Sequence, residues 1–168
     1  MTYHIQKFCT ECGTKLQPKF LENEGLIPYC KNCQAFRFPI FNTACSMIVQ
    51  NERQNKILLI KQYNRPDYIL VAGYISQGES AEAAVKREIQ EETGLKVTSL
   101  RFNQSQYFEK SNTLMLNFAV TVSGDIVPNS EIDDWAWFDL NKAKKEIKDG
   151  SLAEKFLLAY LAKRRKAL

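Results

Sequence analysis

A single helix, predicted over residues 81–93, constrains this chain more than any other feature. The stretch is rich in Ala and Glu and contains neither Pro nor Gly. Ser80 precedes it as the predicted N-cap, and Gly94 follows it as the predicted stop. Three glutamates share one face of this helix at positions i, i+3 and i+4: Glu88, Glu91 and Glu92. Because like charges at this spacing repel, the pattern favours hard cations such as Mg²⁺ or Mn²⁺ bound against them.

An acidic helix face that is merely solvated is the alternative, and it is the commoner reason for glutamates to share a helix face. The flanking residues favour the metal site. Gly73 is followed by five residues and then Glu79, and Arg87 directly precedes the first of the three glutamates. From Gly73 to Leu95 the chain resembles the sequence box of the Nudix hydrolase family at every specified position.

This resemblance implies hydrolysis of a diphosphate linkage, with the three glutamates as catalytic metal ligands. Bound cations neutralise the diphosphate, polarise a phosphoryl oxygen and lower the pKa of a bound water. The family also implies that the backbone carbonyl of Ala72 joins the metal shell. Arg87 points to another side of the helix, so we expect it to hold the loop or a neighbouring glutamate in place. Glu79 is its natural partner, and a plain surface arginine is the alternative.

A further carboxylate is expected from outside the helix. The acidic residues that could supply it are Asp125, Glu131, Asp133 and Asp134. Glu131 lies four residues before Trp135, and this position resembles the downstream glutamate of bacterial NADH pyrophosphatases. It is therefore predicted to act as a metal ligand or as the base, and an ordinary acidic loop is the alternative.

Four of the five cysteines form two pairs with metal-binding spacing. The predicted zinc ligands are Cys9, Cys12, Cys30 and Cys33, two C-x2-C pairs of a ribbon. Disulfides are the alternative, but a reducing cytosol favours metal ligation. Residues 1–38 are therefore predicted to form a small zinc ribbon that needs its structural Zn²⁺ to fold. The fifth, Cys45, lies in an apolar run and is predicted to be a small buried side chain.

Residues 39–168 are predicted to form the second domain, of α+β or α/β class. The predicted strands are residues 44–50, 56–63, 68–72, 97–108, 114–122 and 135–138, and the further helices are residues 141–148 and 151–166. Apolar residues alternate along 114–122, which predicts a strand with one buried side. The Nudix resemblance implies an α/β/α sandwich with a mixed sheet.

A ribbon directly before the domain that carries the box resembles the NADH pyrophosphatase group, which splits NADH or NAD into nicotinamide mononucleotide and AMP. That group carries a Ser-Gln-Pro-Trp-Pro-Phe-Pro-x-Ser element followed by Leu-Met, and residues 105–115 keep its Ser-Gln, its length and its Leu-Met. The three prolines are missing and Phe108 replaces the Trp, so FAD or ADP-ribose is the alternative substrate. The predicted substrate-binding residues are Gln106, Tyr107, Phe108 and Phe38, and Phe36 is a further candidate ring. Packing in the core or in an interface is the alternative for each of the four rings.

Composition excludes several other classes of protein. The net charge of +4 suits an anionic ligand without requiring nucleic acid. No apolar run of about 18 residues is present, and the N-terminus lacks a signal core, so we expect a cytoplasmic protein. The basic residues 163–166 suit either a capped RNA substrate or a solvated helix end. The resemblance also implies a homodimer. A non-catalytic module that binds nucleotide or RNA is the remaining alternative, and the complete box argues against it.

Overall fold

The computed structural model describes residues 6–166, and its internal contacts divide the chain into two units between residues 41 and 42. The first unit contains a three-stranded antiparallel sheet made of β1 (Gln17–Leu21), β2 (Gly25–Cys30) and β3 (Ala35–Phe36). Its core consists of Cys9, Leu16 and Cys30, with Cys33 packed against them. A core this small needs a metal to stabilise it.

The second unit is built on a six-stranded mixed sheet. Its strands are β4 (Asn42–Gln50), β5 (Lys56–Gln62), β6 (Val71–Tyr74), β7 (Lys96–Phe108), β8 (Thr113–Ser123) and β9 (Ile132–Asp139). Their order is β7-β8-β4-β5-β9, and β6 pairs with the first half of β4. The pairing of β4 with β8 is parallel, and the others are antiparallel. Three helices complete the unit: α1 (Ala81–Thr93), α2 (Leu140–Glu146) and α3 (Leu152–Lys166).

Two hydrophobic cores lie on opposite faces of this sheet. Helix α1 contributes Val85 and Ile89 to the first core, and α3 contributes Phe156 and Leu157 to the second, which also contains residues of α2. The predicted α/β/α sandwich with a mixed sheet is therefore confirmed. No helix in residues 6–166 is long and apolar enough to cross a membrane.

Helix α1 has the predicted bounds. The Ser80 hydroxyl accepts a hydrogen bond from the Ala83 amide at 3.1 Å, and Gly94 adopts the left-handed conformation at the C-cap. Cys45 is buried in the first core, as predicted. The helix is thus fixed at both ends and along its apolar side, which leaves its acidic side to form the site.

Two strand predictions are wrong. The expected strand over 68–72 is displaced, because only Val71–Tyr74 pairs with β4, whereas Tyr68 and Ile69 make single bridges. Strand β8 has two buried sides instead of one. It lies between β7 and β4, so Phe118 enters the first core and Ala119 enters the second.

Candidate active site and zinc centre

Arg87 binds the loop before α1 and two glutamates of the helix. Its Nε and Nη2 donate to the two carboxylate oxygens of Glu79, both at 2.9 Å. Its Nη1 donates to Glu88 Oε1 at 2.7 Å and to Glu91 Oε2 at 3.1 Å. Nη2 also donates to the Tyr74 carbonyl at 3.0 Å. The predicted pairing of Arg87 with Glu79 is therefore present, and all three guanidinium nitrogens already have partners.

These contacts shift the pKa values of both partners. The carboxylates of Glu79 and Glu88 raise the pKa of Arg87 above its ordinary value, and the guanidinium lowers the pKa of Glu79. The pair consequently stays charged at all physiological pH values. Its bidentate geometry fixes the loop relative to the helix, which is a positioning role for Arg87.

Glu92 is the buried acid of the site, with 4% of its surface exposed. The amide of Gln62, at the end of β5, donates to Glu92 Oε2 at 2.9 Å. Burial, together with the negative charges of Glu88 and Glu131, raises the pKa of this carboxyl to about 8. The site thus holds more negative charge than its own residues neutralise. A bound cation would offset this charge and favour the ionised form of the Glu92 carboxyl.

The donor set fits a hard divalent cation, because all of its ligands are carboxylate oxygens. In the described structure Glu88 and Glu91 both face Arg87 Nη1. The cysteines are the only group of three or more potential ligands within residues 6–166 whose ligand atoms all converge within 4.8 Å. Glu91, the most exposed of the three glutamates, would therefore have to turn from Arg87 to bind a cation shared with Glu92.

Gly73 is required at its position because Glu88 occupies the space where a side chain would start. A Cβ built on Gly73 would overlap the carboxyl group of Glu88. Its carbonyl lies 3.6 Å from the Cys45 thiol, and β6 aligns Ala72 with Ser46 of β4. The strand thus runs directly beside the acidic helix. The carbonyl of Ala72 as a metal ligand stays a prediction.

Glu131 lies just before β9 and is close enough to α1 for its charge to act on Glu92. The Tyr63 hydroxyl donates to Glu131 Oε2 at 3.1 Å, and Glu131 is among the charges that raise the pKa of Glu92. The neighbouring Asp133 and Asp134 have other partners, the Asn64 amide and the Tyr68 hydroxyl. This places Glu131 near the acids of α1, while its role as ligand or base stays a prediction.

The predicted substrate segment forms the turn end of the β7–β8 hairpin. Gln106, Tyr107 and Phe108 are the last residues of β7, followed by a 3₁₀ turn at Glu109–Ser111. Tyr107 pairs with Leu114 and Phe108 pairs with Thr113. Neighbouring residues of a strand face opposite sides of the sheet. Tyr107 therefore faces the α1 side and Phe108 the side of α2 and α3, so the two rings cannot stack on one substrate from the same side.

Two aromatic residues of the first unit were also predicted to stack on substrate. Phe36 packs edge-on against Tyr29 with ring centroids 5.0 Å apart, so this ring is part of the ribbon's own packing. Phe38 is exposed, and its predicted contact with substrate stays a prediction.

The four ribbon cysteines bring their sulfur atoms together. Their Sγ atoms all lie within 4.8 Å of one another, with Cys9 to Cys33 at 3.9 Å and Cys12 to Cys30 at 3.5 Å. Tetrahedral zinc with Zn–S bonds of about 2.3 Å separates sulfurs by about 3.8 Å. The geometry therefore fits Zn²⁺ and leaves no open position for water.

Charge at the sulfurs also favours a cation. The hydroxyl and amide of Thr14 lower the pKa of Cys12 to about 5, whereas the sulfur of Cys12 raises the pKa of Cys33 to about 12. All four thiols ionise together only when a cation offsets their charge. Arg37 Nε donates to Cys9 Sγ at 3.2 Å and supplies part of that positive charge.

Sequence reasoning missed two residues of the candidate active site, Gln62 and Tyr63. Gln62 carries a weak signal, since a glutamine on the same strand face as Leu58 and Ile60 is a polar residue in an apolar row. Tyr63 carries none, because its partner Glu131 is distant along the chain.

Known proteins resemble this chain over almost its whole length. The NAD-capped RNA hydrolase NudC of Pseudomonas aeruginosa is 35% identical over 162 residues, which is 94% of this chain and 56% of the relative. NudC of Vibrio cholerae is 30% identical over 161 residues, 93% of this chain and 58% of that protein. The chain thus spans less than two thirds of the length of these curated relatives.

Solved structures show the same fold. A NUDIX hydrolase from Nitrosomonas europaea superposes with a TM-score of 0.68 at 21% identity, covering 96% of this chain and 93% of the other. The model of the NUDIX domain family matches residues 41–160, which contain the acidic helix, the Arg87 contacts and Glu131. On this match, the chain belongs to the Nudix family.

Proposed function

We propose that this protein is a metal-dependent hydrolase that splits the diphosphate of NADH or NAD into nicotinamide mononucleotide and AMP. The acidic face of α1 carries the proposal, because Glu88, Glu91 and the buried Glu92 lie there with more charge than the chain neutralises. The choice of dinucleotide rests on the relatives named NAD-capped RNA hydrolases, which align across both the ribbon and the Nudix unit.

Each residue of the site has a separate task in this mechanism. When bound, Mg²⁺ or Mn²⁺ neutralises the diphosphate and lowers the pKa of an attacking water. Arg87 holds Glu88 in place and ties the loop to the helix through Glu79, and Gln62 orients Glu92. Glu131, just before β9, supplies a further ligand or accepts the proton of the water.

FAD or ADP-ribose is the second candidate substrate, and residues 105–115 favour it. They lack the three prolines of the NADH pyrophosphatase element and form a regular hairpin. A hairpin without those prolines presents a different wall to the second half of a dinucleotide. The diphosphate chemistry at α1 would be the same for either substrate.

A capped RNA substrate gains little support from the basic end of α3. Lys163 donates to the backbone carbonyl and the side chain of Asn103, and Arg164 donates to the Tyr160 hydroxyl at 3.4 Å. Lys163 thus attaches α3 to β7, whereas the Arg164 contact lies within α3. An RNA substrate therefore stays a prediction.

Homodimer formation also stays a prediction, and light scattering tests it. The free thiols at metal-binding spacing support a reducing, cytoplasmic compartment.

Release of AMP from a panel of substrates tests the proposal. NADH, NAD, FAD, ADP-ribose and a dinucleoside polyphosphate are compared at equal concentration, with and without Mg²⁺. We expect Mg²⁺-dependent cleavage with NADH or NAD fastest. Faster cleavage of FAD or ADP-ribose would favour the second candidate. Binding of nucleotide without cleavage of any substrate, with Mg²⁺ or Mn²⁺ present, would identify a non-catalytic module.

A further inference from the structure

The chain leaves β5 through two consecutive residues in the left-handed conformation. Tyr63 has φ of 57° and Asn64 has φ of 54°. A bulky side chain at positive φ is unfavourable and persists only where surrounding contacts hold it. One such contact is a short hydrogen bond to a carboxylate, which the backbone N–H of Asn64 donates to Asp133 Oδ2 at 2.6 Å. The structure therefore maintains a strained backbone directly beside the candidate active site.

The strained conformation determines where the phenol points. Residues 57 and 59 of β5 face the second core, so an extended residue 63 would face the same side, away from α1. The left-handed turn instead allows the Tyr63 hydroxyl to reach Glu131 Oε2, at 3.1 Å. Because Gln62 holds Glu92, two consecutive residues hold two acids of the candidate site.

We propose that Tyr63 is a positioning residue that holds the Glu131 carboxylate beside the glutamates of α1, and that the strained backbone is retained for this purpose. The inference rests on the proposed metal-dependent hydrolysis. The phenol donates a hydrogen bond to an ionised carboxylate, one of the stronger bonds available to a neutral donor. The ring itself is 64% exposed, so packing does not account for its conformation.

Tyr63→Phe tests the hydrogen bond alone, since the ring is kept. Losing a hydrogen bond to a charged partner should lower kcat about ten-fold, with KM for the dinucleotide nearly unchanged and the Mn²⁺ dissociation constant raised several-fold. Tyr68→Phe is the matched control. Its hydroxyl also donates to a nearby acidic side chain, Asp134 of β9 at 2.9 Å, but Tyr68 packs on Phe138 in the second core. The control should leave kcat and Mn²⁺ binding unchanged.

Two more variants separate positioning from a general loss of structure. In a Glu131→Ala background, Tyr63→Phe should cause no further loss, because the phenol acts only through that carboxylate. Tyr63→Gly removes the side chain and suits the left-handed backbone, so its melting temperature should equal or exceed that of the wild type while kcat falls as in Tyr63→Phe.

The inference is overturned if Tyr63→Phe loses no more kcat and Mn²⁺ affinity than Tyr68→Phe, or if its loss persists undiminished in the Glu131→Ala background. A wild type that cleaves no substrate would count against the proposed function instead. In that case Mn²⁺ binding, followed by the electron paramagnetic resonance of the free ion, still decides whether Tyr63 acts on Glu131.

Discussion

At the scale of single residues, charge at the acidic helix should dominate activity. Replacing Glu91 or Glu92 by Gln removes one negative charge with almost no change of volume, so we expect turnover to fall by orders of magnitude while the fold survives. Glu82→Gln is the control, since Glu82 lies in the first turn of the same helix and is exposed. Steady-state rates at saturating Mg²⁺ provide the measurement. Rates within a few-fold of wild type would place the metal site elsewhere.

Glu92 should also make the stability of the cation-free protein depend on pH. Its carboxyl has an ordinary pKa of 4.5 and a folded-state pKa of about 8. Between these values the folded protein holds a proton that the unfolded chain has released. The free energy of unfolding contributed by this group is therefore fully present below pH 4.5 and is lost as pH rises through about 8.

Glu92→Gln, which cannot ionise, should lack this loss. Urea midpoints at pH 6 and pH 9, without Mg²⁺ or Mn²⁺, compare the two proteins, and the wild type should show the larger decrease. Equal decreases would mean that Glu92 titrates in the folded protein as it does in an unfolded chain.

At the scale of elements, the β7–β8 hairpin offers two rings on opposite faces of the sheet. Tyr107 faces the α1 side and is exposed, whereas Phe108 is half-buried on the other side. If the ring on the α1 side stacks on a base, Tyr107→Ala should lower kcat/KM for NADH about ten-fold more than for ADP-ribose, which lacks a second base. Phe108→Ala should lower both equally. If Phe108→Ala instead caused the selective loss of kcat/KM for NADH and Tyr107→Ala lowered both values equally, the substrate contact would belong to Phe108.

Local signals explain which elements were predictable. Helix α1 was predicted with its bounds because Ser80 and Gly94 act on their own ends of the helix. The bounds of strand β6 were not predicted correctly, because they depend on pairing with β4, which is distant in the sequence. The second buried side of β8 was missed for a related reason. Alternating apolar residues mark one face, but the burial of Ala119 and Asn117 on the other results from α3 packing there.

The acidic site shows the same division between local and long-range information. Glu88, Glu91 and Arg87 interact within one turn of helix, so spacing alone places them together. Gln62 and Tyr63 reach the site only because β5 ends beside α1 and β9 in the folded sheet. The spacing of residues within a single segment does not predict that the end of β5 lies beside α1 and β9.

At the scale of the whole molecule, the two units differ in what stabilises them. Both large cores consist of residues beyond position 42, whereas among residues 6–41 only Cys9, Leu16 and Cys30 are buried. The ribbon should therefore depend on its metal and the Nudix unit should not. We expect about one zinc per chain in protein purified without added metal, since four thiolates form one closed tetrahedral site.

Removing that zinc should expose the first unit selectively. Because its small core cannot hold the sheet alone, a chelator with a mild protease should cleave within residues 6–41 while the unit from residue 42 stays intact. Cys30→Ala should reproduce the cleavage without chelator. Cys45→Ala is the matched control, because this thiol is equally buried but lies in the first core of the Nudix unit. Zinc content near zero in the wild type, with Cys9 and Cys12 joined in a disulfide, would contradict a metal-stabilised ribbon. Simultaneous digestion of both units after chelation would show instead that the Nudix unit needs the ribbon to remain folded.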